Sequence, residues 1–487
     1  MTHCSDGSRV AVIDIGSNSV QMSIIDSVER APHHFYNEKV TCLLGKGLRE
    51  SGALNPEGRI KALSTLRRFA NLLKQANASH VRCVATAAVR AAEDGPAFCE
   101  EVQLRCGIEV EVIDGLQEAD LAAKGVLWSN YRADGIVCDI GGSSLEFCEL
   151  DNGKIGQQAT TPLGALTLME SQSPDALIST ELKRVSKQIQ ANGRPFYLVG
   201  GGWRALLKAD LVRNQYPLSI LHNYQTTQSS LQDTSQWIAG FNDTSEMAKV
   251  CGISKARADI LTYIAKLPRA FKTHFAPSNY HVSAYGLREG AAACITQTDL
   301  DADPLFRGAS QYDYQLSRFP GFGEVLHEFL YPLFDTLPNW EQRIAHCAAL
   351  LHDINWQIHP DYRAQASFNW PLQTSLLGIT HKERLFLGLA LTFRYGAKSR
   401  DVEKRTSASL LSAEEMTNAK VVGRALRFGA MLSLGEQYSL GQLAVDETTL
   451  RWQFPATTFE TLSGSVVETR LNAVAKALGK SVKIVLT

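Results

Sequence analysis

The chain has 487 residues, 45% of them hydrophobic, and its 49 Lys plus Arg balance 50 Asp plus Glu. That length predicts about three domains with a sizeable core, and the charge balance excludes both the basic excess of a nucleic-acid binder and an acidic disordered tail. Ten scattered cysteines without a CxxC pair, no signal-like start and no apolar run near the roughly 18 residues of a membrane span predict a cytoplasmic protein with no membrane partner.

The first element is a short β-branched run, RVAVIDIG, followed by the turn SNS and a second run, VQMSIID. Apolar strands joined at Gly16 predict a β-hairpin. The pattern returns as GIVCDIGGSSLEFCEL, where Asp139, Gly141, Ser144 and Glu146 align with Asp14, Gly16, Ser19 and Gln21 at an offset of 125 residues (139 minus 14). A single DIG is most often only a strand and a turn, but two copies with matched flanks point to a shared task. Small residues let backbone N–H groups approach a phosphate, and hydroxyls and Asn18 add donors. The strand-end Asp residues suit a hard cation. Gly16, Ser17, Asn18, Ser19, Gly141, Gly142, Ser143 and Ser144 are therefore the expected phosphate-binding residues, and Asp14, Asp139 and Glu146 the expected ligands of Mg2+ or Mn2+. The differences between the copies, Asn18 against Ser143 and Gln21 against Glu146, assign more of the metal's charge balance to the second.

Between the copies, IDGLQEAD opens a helix: Asp114 and Gln117 have the spacing of a capping box, and Glu118 falls in the first turn, where the helix dipole favours its ionised form. A third glycine turn, PFYLVGGGWRALL at 195–207, places a helix N-terminus where an anion or nucleotide could dock, although such turns also occur without a ligand. Acidic and polar residues at 298–303 read as a linker, after which the pattern changes to amphipathic helices. The last stretch, TLRWQFP with VVETRLNAVAKALGKSVKIVL, reads as strand, helix, strand.

The order DIGSNSVQM, ATAAVRAAED, IDGLQEADLAAKGV, CDIGGSSLEF, LVGGGWRAL, SAYGLREGA resembles the exopolyphosphatase and guanosine pentaphosphate phosphohydrolase (Ppx/GppA) family over roughly residues 9–300. The resemblance implies an α/β fold of two ribonuclease-H-like domains of the actin, sugar kinase and Hsp70 superfamily around a cleft. These are expected at 1–130 and 131–300. A helical HD-like domain is expected at 304–487, with a small α+β part at about 445–487. It also implies Glu118 as general base, orienting and deprotonating a water beside the terminal phosphorus, and Arg90 near the phosphate; a solvated Glu and a helix-surface Arg are the ordinary alternatives. The implied reaction is metal-dependent, processive release of orthophosphate from inorganic polyphosphate, or the same cut in guanosine pentaphosphate (pppGpp), by a homodimer. A nucleotide-binding switch and a catalytically silent polyphosphate sensor are the readings from other classes. Two departures stand out: Gly202 occupies a position that is commonly Thr, and Ser143 and Leu145 replace Gly and Thr. In the last domain His352 and Asp353, with His327 and Asp401, loosely echo HD-type metal phosphohydrolases, and His352 and Asp353 are read as structural.

Overall fold

The computed structural model describes residues 9–26, 32–397, 410–433, 440–455 and 462–487. It comprises two compact units, Met1–Pro304 and Leu305–Thr487. Among the described residues no helix is long and apolar enough to cross a membrane.

The first unit contains two sheets. One holds β1 (Arg9–Ile15), β2 (Ser19–Asp26), β3 (His33–Thr41), β4 (Ala78–Ala85) and β5 (Glu111–Val112) in the order β3-β2-β1-β4-β5. The other holds β6 (Gly135–Ile140), β7 (Leu145–Asp151), β8 (Lys154–Thr161), β9 (Phe196–Val199), β10 (Gln225–Thr226) and β11 (Tyr280–Ser283) in the order β10-β11-β9-β6-β7-β8. In each, an antiparallel meander (β1 to β3, β6 to β8) is extended on the far side of its first strand by parallel strands, β4 and β5 or β9 and β11. This is the ribonuclease-H-like strand order, written twice. β1 and β6 are central because they are apolar on both faces, with Val10–Ile13 and Ile136–Cys138 buried, whereas β3 alternates and forms an edge. Each sheet has its own core: Ile13, Met22, Leu66, Phe69 and Phe98 behind the first, and an aromatic cluster of Phe147, Phe196, Trp203, Phe271 and Phe275 behind the second, with centroids 5.2–6.0 Å apart.

The division at residue 130 separates the sheets but not the packing. The helix Gly115–Ser129, on the first side of that division, lays Ala119, Ala122, Ala123 and Val126 against the second sheet. The helix Leu287–Thr296, on the other side, returns to pack on β1 and on Gly115–Ser129. The two helices cross at glycines: a Cβ at Gly290 would lie 1.8 Å from the Leu121 carbonyl oxygen, and one at Gly125 2.1 Å from that of Gly286. Only hydrogen fits at either position, so the crossing draws both lobes against one shared axis.

The second unit begins in the helix Pro304–Leu316 and continues with helices Phe322–Leu330, Asn339–Leu350, Pro360–Gln373, His381–Arg394 and Ala413–Gly429. The stretch read as strand, helix, strand forms β13 (Thr449–Phe454), the helix Ser465–Leu478 and β14 (Ser481–Leu486). The sequence reading missed β12 (Gln442–Val445), which completes a sheet of order β12-β13-β14. β12 is only four residues long and lies against one edge, so it carries little periodic signal.

Candidate active site

The two repeated turns have the same construction. β1 pairs with β2 so that Asp14 faces Gln21, and β6 pairs with β7 so that Asp139 faces Glu146. Each loop is closed by its glycine: Gly16 N–H donates to Ser19 O at 3.0 Å, and Gly141 N–H to Ser144 O at 2.9 Å. The chain behind each loop then occupies its carbonyls. Cys42 and Leu43 N–H donate to Asn18 O and Gly45 N–H to Ser17 O. Ala165 N–H donates to Gly141 O and Leu166 N–H to Gly142 O, while Thr167 Oγ1 donates to Ser143 O. Among the described residues the N–H groups of Ser17, Asn18, Gly142 and Ser143 donate to no backbone acceptor. Loops whose carbonyls are tied back and whose amides are left over are suited to an anion.

The turns meet: the Ser17 and Ser143 hydroxyls are 2.8 Å apart and hydrogen-bonded. Both turns line one cavity of about 810 Å³, together with Asp14, Glu118, Asp139 and Glu146. All eight predicted phosphate-binding turn residues, the three predicted metal ligands and Glu118 therefore share this cavity. Arg90 does not line it; it lines an adjoining cavity of about 470 Å³ together with Ser143, Ser144 and Thr160.

Glu118 is not the solvated surface residue that periodicity allows, being 8% exposed. Its helix starts as expected, with Asp114 accepting from Leu116 and Gln117 N–H at 2.9 and 2.8 Å and Gln117 Oε1 accepting from Asp114 N–H at 2.8 Å. Arg90 Nη1 donates to Glu118 Oε1 at 2.7 Å and also to the Ile113 carbonyl, so Arg90 orients the carboxylate. The expectation that the helix dipole keeps Glu118 acidic is corrected: burial raises it to about 7, assisted by Asp139 and Asp14 and opposed by Arg90. Burial likewise raises Asp139 to about 7 and pushes Asp14 up, against Arg204 for the first and Arg288 and Lys39 for the second. Glu146 is also pushed well above the usual carboxylate range, by burial and the neighbouring Glu118, although Thr160 Oγ1 donates to it at 3.2 Å.

Buried carboxylates raised together mark a place where negative charge is under-compensated, which is what a hard cation corrects. The donor set of Asp14, Asp139 and Glu146 fits Mg2+, which is held by one or two carboxylates with substrate phosphates and water rather than by a closed protein cage. These oxygens do not converge on one point: among the described residues, the His, Cys, Asp or Glu donors that lie in threes within 4.8 Å of one another are Glu324, His327 and His346, in the other unit.

Sequence reading missed the cations of the cavity, Lys39, Arg204, Arg257 and Arg288. Arg204 and Arg288 stand inside the motifs LVGGGWRAL and SAYGLREGA and were open to recognition, whereas Lys39 and Arg257 arrive from β3 and from the helix Lys255–Ile264 without a local signal. The Gly202 departure goes with close packing: a Cβ there would lie 2.4 Å from Ile264 Cδ1 and 3.2 Å from Ile140 Cγ2, so a larger residue requires the end of the Ile264 side chain to move.

The HD echo does not assemble. Asp353 is held by the Arg318 guanidinium at 2.7 and 2.8 Å and by its N–H at 3.2 Å, and His352 Nδ1–H donates to Ala349 O at 2.7 Å. His327 stacks on His346 instead, and Asp401 lies outside the described residues.

Known proteins agree with this architecture. The model of the Ppx/GppA phosphatase family matches residues 23–297, more than half of the chain, and that of the exopolyphosphatase C-terminal domain matches residues 335–485. The chain is similar in fold to a Ppx/GppA family member of Aquifex aeolicus, at 24% identity and a TM-score of 0.52 over 60% of this chain and 98% of that one. It is also similar to an exopolyphosphatase from Cytophaga hutchinsonii, at 22% identity and a TM-score of 0.53 over 60% of this chain and all of the other. The match of the family model over residues 23–297 makes this chain a member of the Ppx/GppA phosphatase family.

Proposed function

We propose that this chain is an exopolyphosphatase that hydrolyses the terminal phosphoanhydride bond of inorganic polyphosphate and releases orthophosphate. The observation that carries this reading is the meeting of the two amide-rich turns at Ser17 and Ser143 beside the buried, Arg90-oriented Glu118. The leftover amides and hydroxyls of residues 16–19 and 141–144 bind the terminal phosphoryl oxygens. Lys39, Arg204 and Arg288 offset the charge of the phosphates that follow. The ionised Glu118 accepts a proton from the attacking water, and Arg90 fixes the direction of its free oxygen. A carboxyl near 7 combines a populated base form with useful basicity at neutral pH. Asp14, Asp139 and Glu146 would hold a divalent ion that neutralises charge developing on the phosphate oxygens.

The test is orthophosphate release from long-chain polyphosphate and from guanosine pentaphosphate, side by side, with Mg2+ and with EDTA, for wild type and Glu118→Gln. Expected is Mg2+-dependent release from polyphosphate that falls at least 100-fold in the variant. Release from guanosine pentaphosphate alone would transfer the substrate assignment, and release from neither would reject the reading.

A further inference from the structure

The helical unit carries a cluster that the cleft chemistry does not use. Glu324 and His327 stand three residues apart on the helix Phe322–Leu330, a spacing that places both side chains on one face. His346 comes from the helix Asn339–Leu350 packed against it. His346 Nε2–H donates to Glu324 Oε2 at 2.7 Å, and the His327 and His346 rings stack at 3.7 Å between centroids and 7° between planes. One donor atom from each of the three lies within 4.8 Å of the others. Phe306 meets the His346 ring edge-on at 4.7 Å and Tyr331 meets His327 at 5.9 Å, so an aromatic wall backs the pair. All three side chains are part-buried, which leaves a solvent path to the donors.

We propose that Glu324, His327 and His346 form a binding site for a borderline divalent transition metal, Zn2+ in the first instance, which cross-links the two helices of the C-terminal unit. Two imidazoles and one carboxylate are the ligand types such an ion prefers over Mg2+, and a water completes the fourth position. Bonds of about 2.0–2.1 Å around a tetrahedral ion hold donors roughly 3.3 Å apart. The three donors therefore need to close by rotation about side-chain torsions, and the rings leave their parallel stack to aim at one point. As the ion takes His346 Nε2, the proton now shared with Glu324 moves to Nδ1 of the same ring, so the hydrogen bond to Glu324 is exchanged for two metal bonds. The site shares only His327 with the HD echo, whose carboxylate Asp353 is already occupied by Arg318.

The experiment uses the full chain, stripped with EDTA and returned to buffer with excess Mg2+ so that the cleft carboxylates are occupied. Zn2+ is then titrated by calorimetry in two buffers of different ionisation enthalpy, and Co2+ by its visible absorption. Expected are one equivalent of Zn2+ per chain, the same in both buffers, and the intense d–d bands of four-coordinate Co2+. Affinity should fall by about 100-fold or more in His327→Gln and His346→Gln, while Mg2+-dependent phosphate release stays as in wild type. Should either histidine variant fail to fold by circular dichroism, Glu324→Gln, at a side chain 45% exposed, is the substitute and must also weaken Zn2+. Wild type that binds no more Zn2+ than the folded variants, or a Glu324→Gln protein that binds it as tightly as wild type, overturns the site and leaves a hydrogen-bonded His–Glu pair.

Discussion

Replacing Glu118 by Gln should make the enzyme inactive and more stable at once. The amide is isosteric, and its oxygen still accepts from Arg90 Nη1, so the geometry at 2.7 Å survives while the base is lost. Positioned general bases contribute about 10²–10⁴-fold, so kcat should fall by that factor. The stability effect follows from burial. Glu118 rises from 4.5 to about 7 on folding. Between those values the folded state binds the proton that the unfolded state has released, so stability falls as pH rises from 4.5, and the loss is complete above about 7. At about 1.4 kcal/mol per tenfold, the ionised carboxylate costs the folded state about 3 kcal/mol at pH 8. The neutral amide of the variant carries no such cost. In EDTA the variant should therefore match wild type near pH 4.5 and melt several degrees higher at pH 8. Differential scanning calorimetry across that range, with phosphate release measured on the same samples, reads both effects. A variant that melts lower than wild type at pH 8 would refute the burial argument, and one that retains a tenth of the wild-type kcat would refute the assignment of the base.

The same carboxyl predicts the pH profile: log kcat/KM should fall with unit slope in acid, from a midpoint below about 7 because an ion on Asp14 and Asp139 offsets the charge that raises Glu118, and that limb should be absent from the residual activity of Glu118→Gln. Gly290→Ala places a methyl 1.8 Å from a backbone oxygen and should destabilise the first unit by the upper part of the roughly 1–3 kcal/mol range for overpacking, or beyond it; an unchanged melting temperature would show that the helices do not cross as described. Gly202→Thr should destabilise by no more than the lower part of that roughly 1–3 kcal/mol range, because its Cβ meets only the movable end of Ile264, and calorimetry on the variant checks it. Arg318→Ala strands the Asp353 carboxylate. Burial pushes Asp353 up, and Arg318 together with His352 more than reverses it, so the pair stabilises above pH 3.8 and loses its effect as pH falls through the lower folded value. The variant should lose about 1–3 kcal/mol at pH 7, with a gap that narrows in acid.

Much of the site was legible because its parts are local. A turn of this kind is a strand end, a glycine and small residues within six positions, and an N-capped helix start declares itself within five, so DIGSNS, DIGGSS and DGLQE carry their geometry in their spelling. The doubling was legible too, since a repeat needs no contact information. The linear order alone determined two matched hairpins, the capped helix bearing Glu118 and a change of pattern near residue 304. Tertiary structure decided what depends on distance and dielectric. It brought Ser17 to Ser143 across 126 positions, gave Arg90 to Glu118 rather than to the main cavity, and collected Lys39 and Arg257 from separate elements. It also reversed the expected acidity of Glu118, because the helix dipole that favours the ion acts within one turn, whereas the desolvation that opposes it comes from the whole fold closing around the carboxylate.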